Sequence, residues 1–493
     1  MPDISDLLNR TAPQDLPMPD LGHVAKVARR RQRRHRAAAL SVVAVVGIST
    51  GAFALSSRDA DAPHDTTVAD SVDLGEPVGT WHEGARIPVG ERGRMFGGSL
   101  SDGRVLAWGG GSGNEGGMTE FDGAIYDPST DSWTEVPAAP LPHGTTAQWM
   151  QLSRDRLAVI GVDNDGRMHG AVLDTATRAW TQLPEQRTLA VAIDGMAFDG
   201  EHLALIRTRP GARGYLESAI DWSVPEPVTL RWTHGEDSWA TGAQPPVSLR
   251  FGSGGAFDGS RFALVGGTTS VVEDRSDPQP SGPDRGVVGD GAIYDLAADR
   301  WTTIPATAAS TAIHPIVSWL QDGRLIVGGG NDRLSDPGPD YHAVAAFRPA
   351  DRTWSDLDTP DRPGIGSNAP WGAYDAGIPP VLLAATDEPQ SGPHPRLTLS
   401  PDGWEEAPLN TIRTLSNRLI AMSSTFDNPG DGPFELFVRA TGGTWLSSAV
   451  APFTNRMDAL TVVAGDKLVV IGGYQGPHLE PASSTWVFTI DPQ

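Results

Sequence analysis

Asp122-Gly-Ala-Ile-Tyr-Asp-Pro-Ser-Thr-Asp-Ser-Trp133 returns almost unchanged as Asp290-Gly-Ala-Ile-Tyr-Asp-Leu-Ala-Ala-Asp-Arg-Trp301. In both copies seven positions separate the tyrosine (Tyr126, Tyr294) from the tryptophan. A short β-run, a polar turn and a second run opened by Trp make a hairpin. A hairpin that recurs within a chain of 493 residues signals a repeat architecture, and that has to be settled first.

Working outward from this hairpin, each unit has a strand, a polar turn and then an apolar strand. The apolar strands include Val105-Leu-Ala-Trp108, Leu157-Ala-Val-Ile160, Leu203-Ala-Leu-Ile206, Phe262-Ala-Leu-Val265 and Leu325-Ile-Val327. Val381-Leu-Leu-Ala384, Leu419-Ile-Ala-Met422 and Leu468-Val-Val-Ile471 continue the series. Apolar runs without alternation mean strands buried on both faces. Asp102-Gly, Asp199-Gly, Asp258-Gly and Asp322-Gly supply turns before them. Trp81, Trp133, Trp180, Trp239, Trp301, Trp354, Trp404 and Trp445 open the fourth strands at intervals of 41–62 residues. Tyr126, Leu173, Trp232, Tyr294, Phe347 and Val438 are their expected third-strand partners, seven positions earlier. The predicted fold is all-β, a β-propeller of eight four-stranded blades, with seven as the alternative.

The two ends of the chain complete each other. The last unit stops at Ile490-Asp-Pro492, which matches Tyr126-Asp-Pro128, before any fourth-strand Trp. Gly79-Thr-Trp81 carries the missing piece, so the N-terminal strand is expected to complete the last blade and close the ring.

An apolar strand ending in Gly-Gly, then Tyr, then Trp at spacing seven resembles the kelch repeat. The resemblance covers residues 78–493 and is sharpest in the units ending at Trp133, Trp301 and Trp354 and in the last unit. The units ending at Trp180, Trp239, Trp404 and Trp445 lack the Gly-Gly. The resemblance brings three enzyme classes into view. Galactose-oxidase-like copper radical enzymes need a Cys linked to Tyr, and this chain has no Cys. Sialidases carry a Ser-x-Asp-x-Gly-x-Thr-Trp box, of which Ser400-Pro-Asp-Gly-Trp404 is three residues short. A sugar epimerase, lyase or hydrolase on this scaffold would draw on His169, His314 and His342.

The N-terminal part is different in kind. Residues 1–36 are a polar tail ending in Arg29-Arg-Arg-Gln-Arg-Arg-His-Arg36. Residues 37–55 contain no charge, and 19 residues at about 1.5 Å each just span a hydrocarbon core. Six Arg precede this segment while Asp59 and Asp61 follow it. The positive-inside rule therefore puts the tail in the cytoplasm and the body outside. A cleaved signal peptide is the competing reading, since Ala52-Phe53-Ala54 resembles a cleavage site, but 36 residues exceed an ordinary n-region. Residues 56–77 are acidic and aromatic-free and are expected to form a flexible stalk. Tail, Arg run and single helix resemble the starts of single-pass actinobacterial membrane proteins, some of them encoded beside sigma factors. That resemblance implies a cytoplasmic regulator contacting residues 1–36.

Beyond residue 36 lie 30 of the 38 basic and 57 of the 61 acidic residues, a net of −27. A body this acidic argues against nucleic acid as a partner. The absence of Cys removes disulfides, thiolate metal sites and cysteine nucleophiles together. Asp163-Asn-Asp-Gly166 has a calcium-loop flavour, but its Gly falls at the wrong offset and it is taken as a hairpin turn. No cofactor or metal is expected. The most variable segments join second to third strands. The candidate binding residues among them are Asp274 and Arg275 in one loop and Asn331, Asp332, Arg333, Tyr341 and His342 in the next. The expected function is binding of a protein or glycan outside the membrane, with a carbohydrate-active enzyme as the alternative.

Overall fold

The computed structural model describes residues 78–490, except 112–119, 154, 164–166, 186–192, 209–210, 213–219, 222–225, 251, 270–285, 314, 321, 331–343, 358–364, 367–380, 385–395, 401–402, 408–410, 416–417, 423–433, 440–444, 455 and 476–479. The chain divides into Met1–Ser56 and Ser57–Gln493, and every described residue belongs to the second unit. The predicted tail, apolar segment and stalk lie outside the described residues. No helix of the described residues is long and apolar enough to cross a membrane.

Among the described residues the protein is all-β, built from eight four-stranded antiparallel sheets with two small two-stranded ribbons. The first sheet orders Phe96–Ser99, Val105–Trp108, Gly123–Asp127 and Ser132–Val136. The second orders Thr146–Ser153, Arg156–Val162, Met168–Asp174 and Ala179–Gln182. The third orders Gly195–Phe198, His202–Arg207, Val228–Thr233 and Ala240–Thr241, and the fourth Gly254–Phe257, Arg261–Val265, Gly291–Asp295 and Arg300–Ile304. The fifth orders Ile316–Trp319, Leu325–Gly328, Val344–Arg348 and Thr353–Asp356, and the sixth Ile365–Gly366, Val381–Ala384, Arg396–Ser400 and Gly403–Ala407. The seventh orders Thr411–Leu415, Arg418–Met422, Leu436–Arg439 and Trp445–Ser447. The eighth takes three strands from the C-terminal end, Leu460–Ala464, Lys467–Ile471 and Thr485–Thr489. Its fourth is Thr80–Gly84 from the other end of the chain, with Trp81 opposite Phe488. This sheet-by-sheet order is propeller-like.

The unalternated second strands are explained by packing on both sides. In Val105–Trp108, Val105 and Ala107 pack with Val469 and Ile471 of the eighth sheet. Leu106 and Trp108 pack with Leu157 and Val159 of the second. Equivalent clusters join the second sheet to the third, the third to the fourth, the fourth to the fifth and the seventh to the eighth.

The stretch Asp122–Trp133 acts as a clamp between sheets. The Tyr126 ring packs at a tilt of 39°, 4.9 Å between centroids, against Trp133, which faces it across the hairpin. Its buried hydroxyl donates to Asp131 Oδ1 at 2.7 Å, and that oxygen also accepts from Ala85 N at 2.7 Å. Trp133 Nε1 donates to Ala85 O at 2.8 Å. The second copy repeats every bond, with Tyr294, Asp299, Ala243 and Trp301 in the same roles. Trp180, Trp239 and Trp354 donate in the same way to Pro137, Pro184 and Pro305. Each of these tryptophans therefore ties its sheet to the strand leaving the one before. One predicted partner is corrected: Trp445 stands opposite Arg439, and Val438 pairs with Leu446. Five residues, 440–444, separate Arg439 from Trp445 where four separate Asp127 from Ser132, which shifts the register by one.

Hydrogen bonds from Ala85 N, first, and Tyr126 hold the Asp131 carboxyl below its ordinary value. A depressed carboxyl stabilises the fold above the unfolded value of about 3.9 and loses that contribution as pH falls through the folded value. Asp131→Asn is therefore expected to be less stable than wild type at neutral pH. Its urea midpoint should also decline less between pH 5 and 2; an equal decline would show that Asp131 carries no such linkage.

Candidate functional site

The predicted binding residues Asp274, Arg275, Asn331, Asp332, Arg333, Tyr341 and His342 lie outside the described residues, as does His314. What is described is the end of the sheets from which those loops spring, where second strands finish and third strands begin.

Four sheets finish their second strand with a glycine pair in the left-handed region. In the first sheet Gly109 has φ 73° and Gly110 φ 95°. Gly266-Gly267, Gly329-Gly330 and Gly472-Gly473 repeat the signs. Only glycine adopts this pair of conformations without strain. Space excludes a side chain as well: a Cβ on Gly110 would lie 2.5 Å from Gly93 O.

In three of these sheets an arginine rises against the pair from the segment before the first strand. Arg92 Nη1 donates to Gly109 O at 3.2 Å and to Asp122 Oδ1 at 2.7 Å. Arg250 Nη1 donates to Gly266 O at 3.3 Å and to Asp290 O at 3.0 Å, and Nη2 reaches Asp290 Oδ2 at 3.2 Å. Arg456 Nη1 donates to Gly472 O at 3.2 Å and to Ser484 Oγ at 2.7 Å. Arg92, Arg250 and Arg456 are buried, at 5, 1 and 5 % exposure. Burial pushes Arg456 down to about 10, opposed by the Glu83 charge on the strand that completes its sheet. The sequence reading passed over these arginines. Their signal is a spacing: each precedes its first strand by four residues, at Phe96, Gly254 and Leu460.

One register position, at or just before the start of the third strand, carries a polar residue in five of the eight sheets. It is Asp122 in the first and Asp290 in the fourth, next to Gly123 and Gly291, which face Trp108 and Val265. It is Ser484 in the eighth, next to Thr485, which faces Ile471. In the second sheet it is His169, next to Gly170, which faces Ile160. In the seventh it is the exposed Glu435, next to Leu436, which faces Met422. The Asp122 and Asp290 side chains are 37 and 47 % exposed above their buried arginines. His169 Nε2 lies 2.8 Å from Asp163 Oδ2, with both side chains about seven-eighths buried (13 and 14 % exposed). In the neutral ring this contact keeps the proton on Nε2 and leaves Nδ1 as an acceptor. Asp163 also closes the turn expected there: its N donates to Arg167 O and its Oδ1 accepts from Arg167 N.

This end of the sheets thus presents half-exposed carboxylates and a histidine on a rigid frame. Its chemistry is that of hydrogen-bond acceptance and charge recognition. Among the described residues no three His, Asp or Glu converge as a metal site would require.

No family model matches the chain, and no curated protein matches it. Among solved structures, a fungal alcohol oxidase of the AA5 family in complex with copper is similar, with a TM-score of 0.40 and 11% identity. The match covers 81% of this chain and 85% of that one, and it carries no argument about what this protein does.

Proposed function

We propose that the chain is a kelch-like propeller of eight blades, held outside the membrane by residues 37–55, which binds a protein or glycan at the Gly-Gly end of its sheets. One observation carries this reading. At one register position beside the end of the second strand, five of the eight sheets carry a polar side chain, Asp122, His169, Asp290, Glu435 and Ser484, and in the first, fourth and eighth it stands beside a glycine pair and a buried arginine. A constant scaffold with varied polar tips is what selective recognition uses. Ring closure is supported by the pairing of Thr80–Gly84 with Thr485–Thr489 across the chain ends.

The full-length chain in detergent, applied to a glycan array and to candidate extracellular proteins, is expected to retain a ligand. Glu435→Gln and Asp122→Asn are expected to weaken that ligand about tenfold each. Retention of nothing, or a ligand indifferent to both changes, defeats the reading. The cytoplasmic part of the proposal, a regulator contacting residues 1–36, requires that deleting residues 1–28 change the expression of a neighbouring regulon.

The Asp163–His169 contact favours a second reading, a carbohydrate-active enzyme in which His169 exchanges a proton. Turnover of a sugar substrate lost in His169→Gln would establish it.

A further inference from the structure

The third sheet lacks the glycine pair. Its second strand runs on through Arg207 where its neighbour has the first glycine of the pair, since Ile206 faces Gly195 just as Val265 faces Gly254. Thr208 takes the place of the second glycine. Arg207 is 6 % exposed, and its Nε is fully buried without a hydrogen-bond partner. Unlike Arg92, Arg250 and Arg456, it donates no hydrogen bond to any described residue. Asp194 is close enough to interact by charge, yet its Oδ2 accepts from Thr208 N at 2.5 Å and Thr208 Oγ1 at 2.9 Å. Burial pulls Arg207 below the usual arginine value, and Asp194 only partly opposes this. A buried guanidinium without partners is costly unless something completes it.

The surroundings define what would complete it. Strand alternation puts Arg207 on the face of Leu203 and Leu205, which pack with Ile160 and Met168 of the second sheet. Ile193 and Val228 belong to the same apolar cluster. The Asp194 charge nearby repels any anion, and a dianion about twice as strongly as a monoanion, so a single charge is favoured on the ligand. A carboxylate matches the flat guanidinium fork and carries a single charge.

We propose that Arg207 is an anion-binding residue at the seam of the second and third sheets, accepting the carboxylate of a sugar acid. The inference rests on the binding reading above for its choice of ligand class. It has a second consequence, because the unliganded protein carries the cost of the buried charge. Replacing Arg207 with leucine removes that cost.

The test uses the full-length chain in detergent and isothermal titration with sodium glucuronate, glucose, inorganic phosphate and a glutamate-rich peptide. Wild type is expected to bind glucuronate, and Arg207→Leu to weaken it at least about tenfold. Arg207→Leu without ligand is expected to melt at or above the wild-type temperature. Absence of glucuronate binding, equal binding by Arg207→Leu, or tighter binding of phosphate overturns the proposal. So does binding of the peptide in place of glucuronate, or a marked drop in the melting temperature of Arg207→Leu. These outcomes are separable from failure of the binding reading, which is decided by whether any ligand is retained on the array.

Discussion

Arg250→Met is expected to destabilise the protein by about 3 kcal/mol, read as a lower urea midpoint of the full-length chain. Arg250 is 1 % exposed, yet its charge is fully engaged. Besides Gly266 and Asp290 it donates from Nε to Ser248 O at 3.1 Å and from Nη2 to Ser248 Oγ at 3.2 Å. Methionine fills part of the volume but leaves those acceptors short of a donor, and buried acceptors without donors are what make such changes costly. Arg250 and Arg207 sit at the same end of neighbouring sheets and both are buried. One is held by five nitrogen contacts and the other by none among the described residues. Opposite signs are therefore expected for the two substitutions, and equal destabilisation would show that Arg207 is merely a structural prop.

Trp81→Ala is expected to cost about 3–5 kcal/mol, the range for removing a large aromatic from a packed site. Trp81 lies on the only eighth-sheet strand that comes from the N-terminal side. Its ring meets Phe434 at 5.7 Å, Phe453 at 5.2 Å and Phe488 at 5.1 Å. Its Nε1 donates to Ala449 O at 3.1 Å. The alanine variant therefore loosens the joint between the seventh and eighth sheets and the strand that joins the chain ends. A loss within about 0.5 kcal/mol, as at an ordinary surface position, would mean that this strand holds nothing together.

The candidate site was less legible than the fold, and the arginines show why. The Gly-Gly pairs, the Asp-Gly turns and the Tyr-to-Trp spacing are local signals. A positive φ needs glycine wherever it occurs, and a hairpin keeps its two faces within a few residues. Asp258 illustrates the local kind: its carboxylate accepts from Ser260 N at 2.9 Å and Arg261 N at 2.6 Å, all within one turn. Besides local bonds to Val89 and Ser248, Arg92, Arg250 and Arg456 answer to acceptors 16 to 40 residues away, which meet them only after the sheet forms. Arg207 is plainer still. In the sequence it is one arginine after an apolar run, and nothing beside it tells whether a partner is waiting.

By itself the sequence determined the repeat, the all-β class, the positions of the turns and the strand that joins the two ends, because each rests on short-range geometry or on counting. The tertiary structure decided which buried charges are satisfied, which tryptophan slips by one position and which carboxylates stand half in solvent. Those depend on what neighbouring sheets bring to the same place. Arg250 makes all its bonds and fastens the sheets, whereas the Arg207 guanidinium makes no hydrogen bond among the described residues, and only the packed sheets distinguish the two.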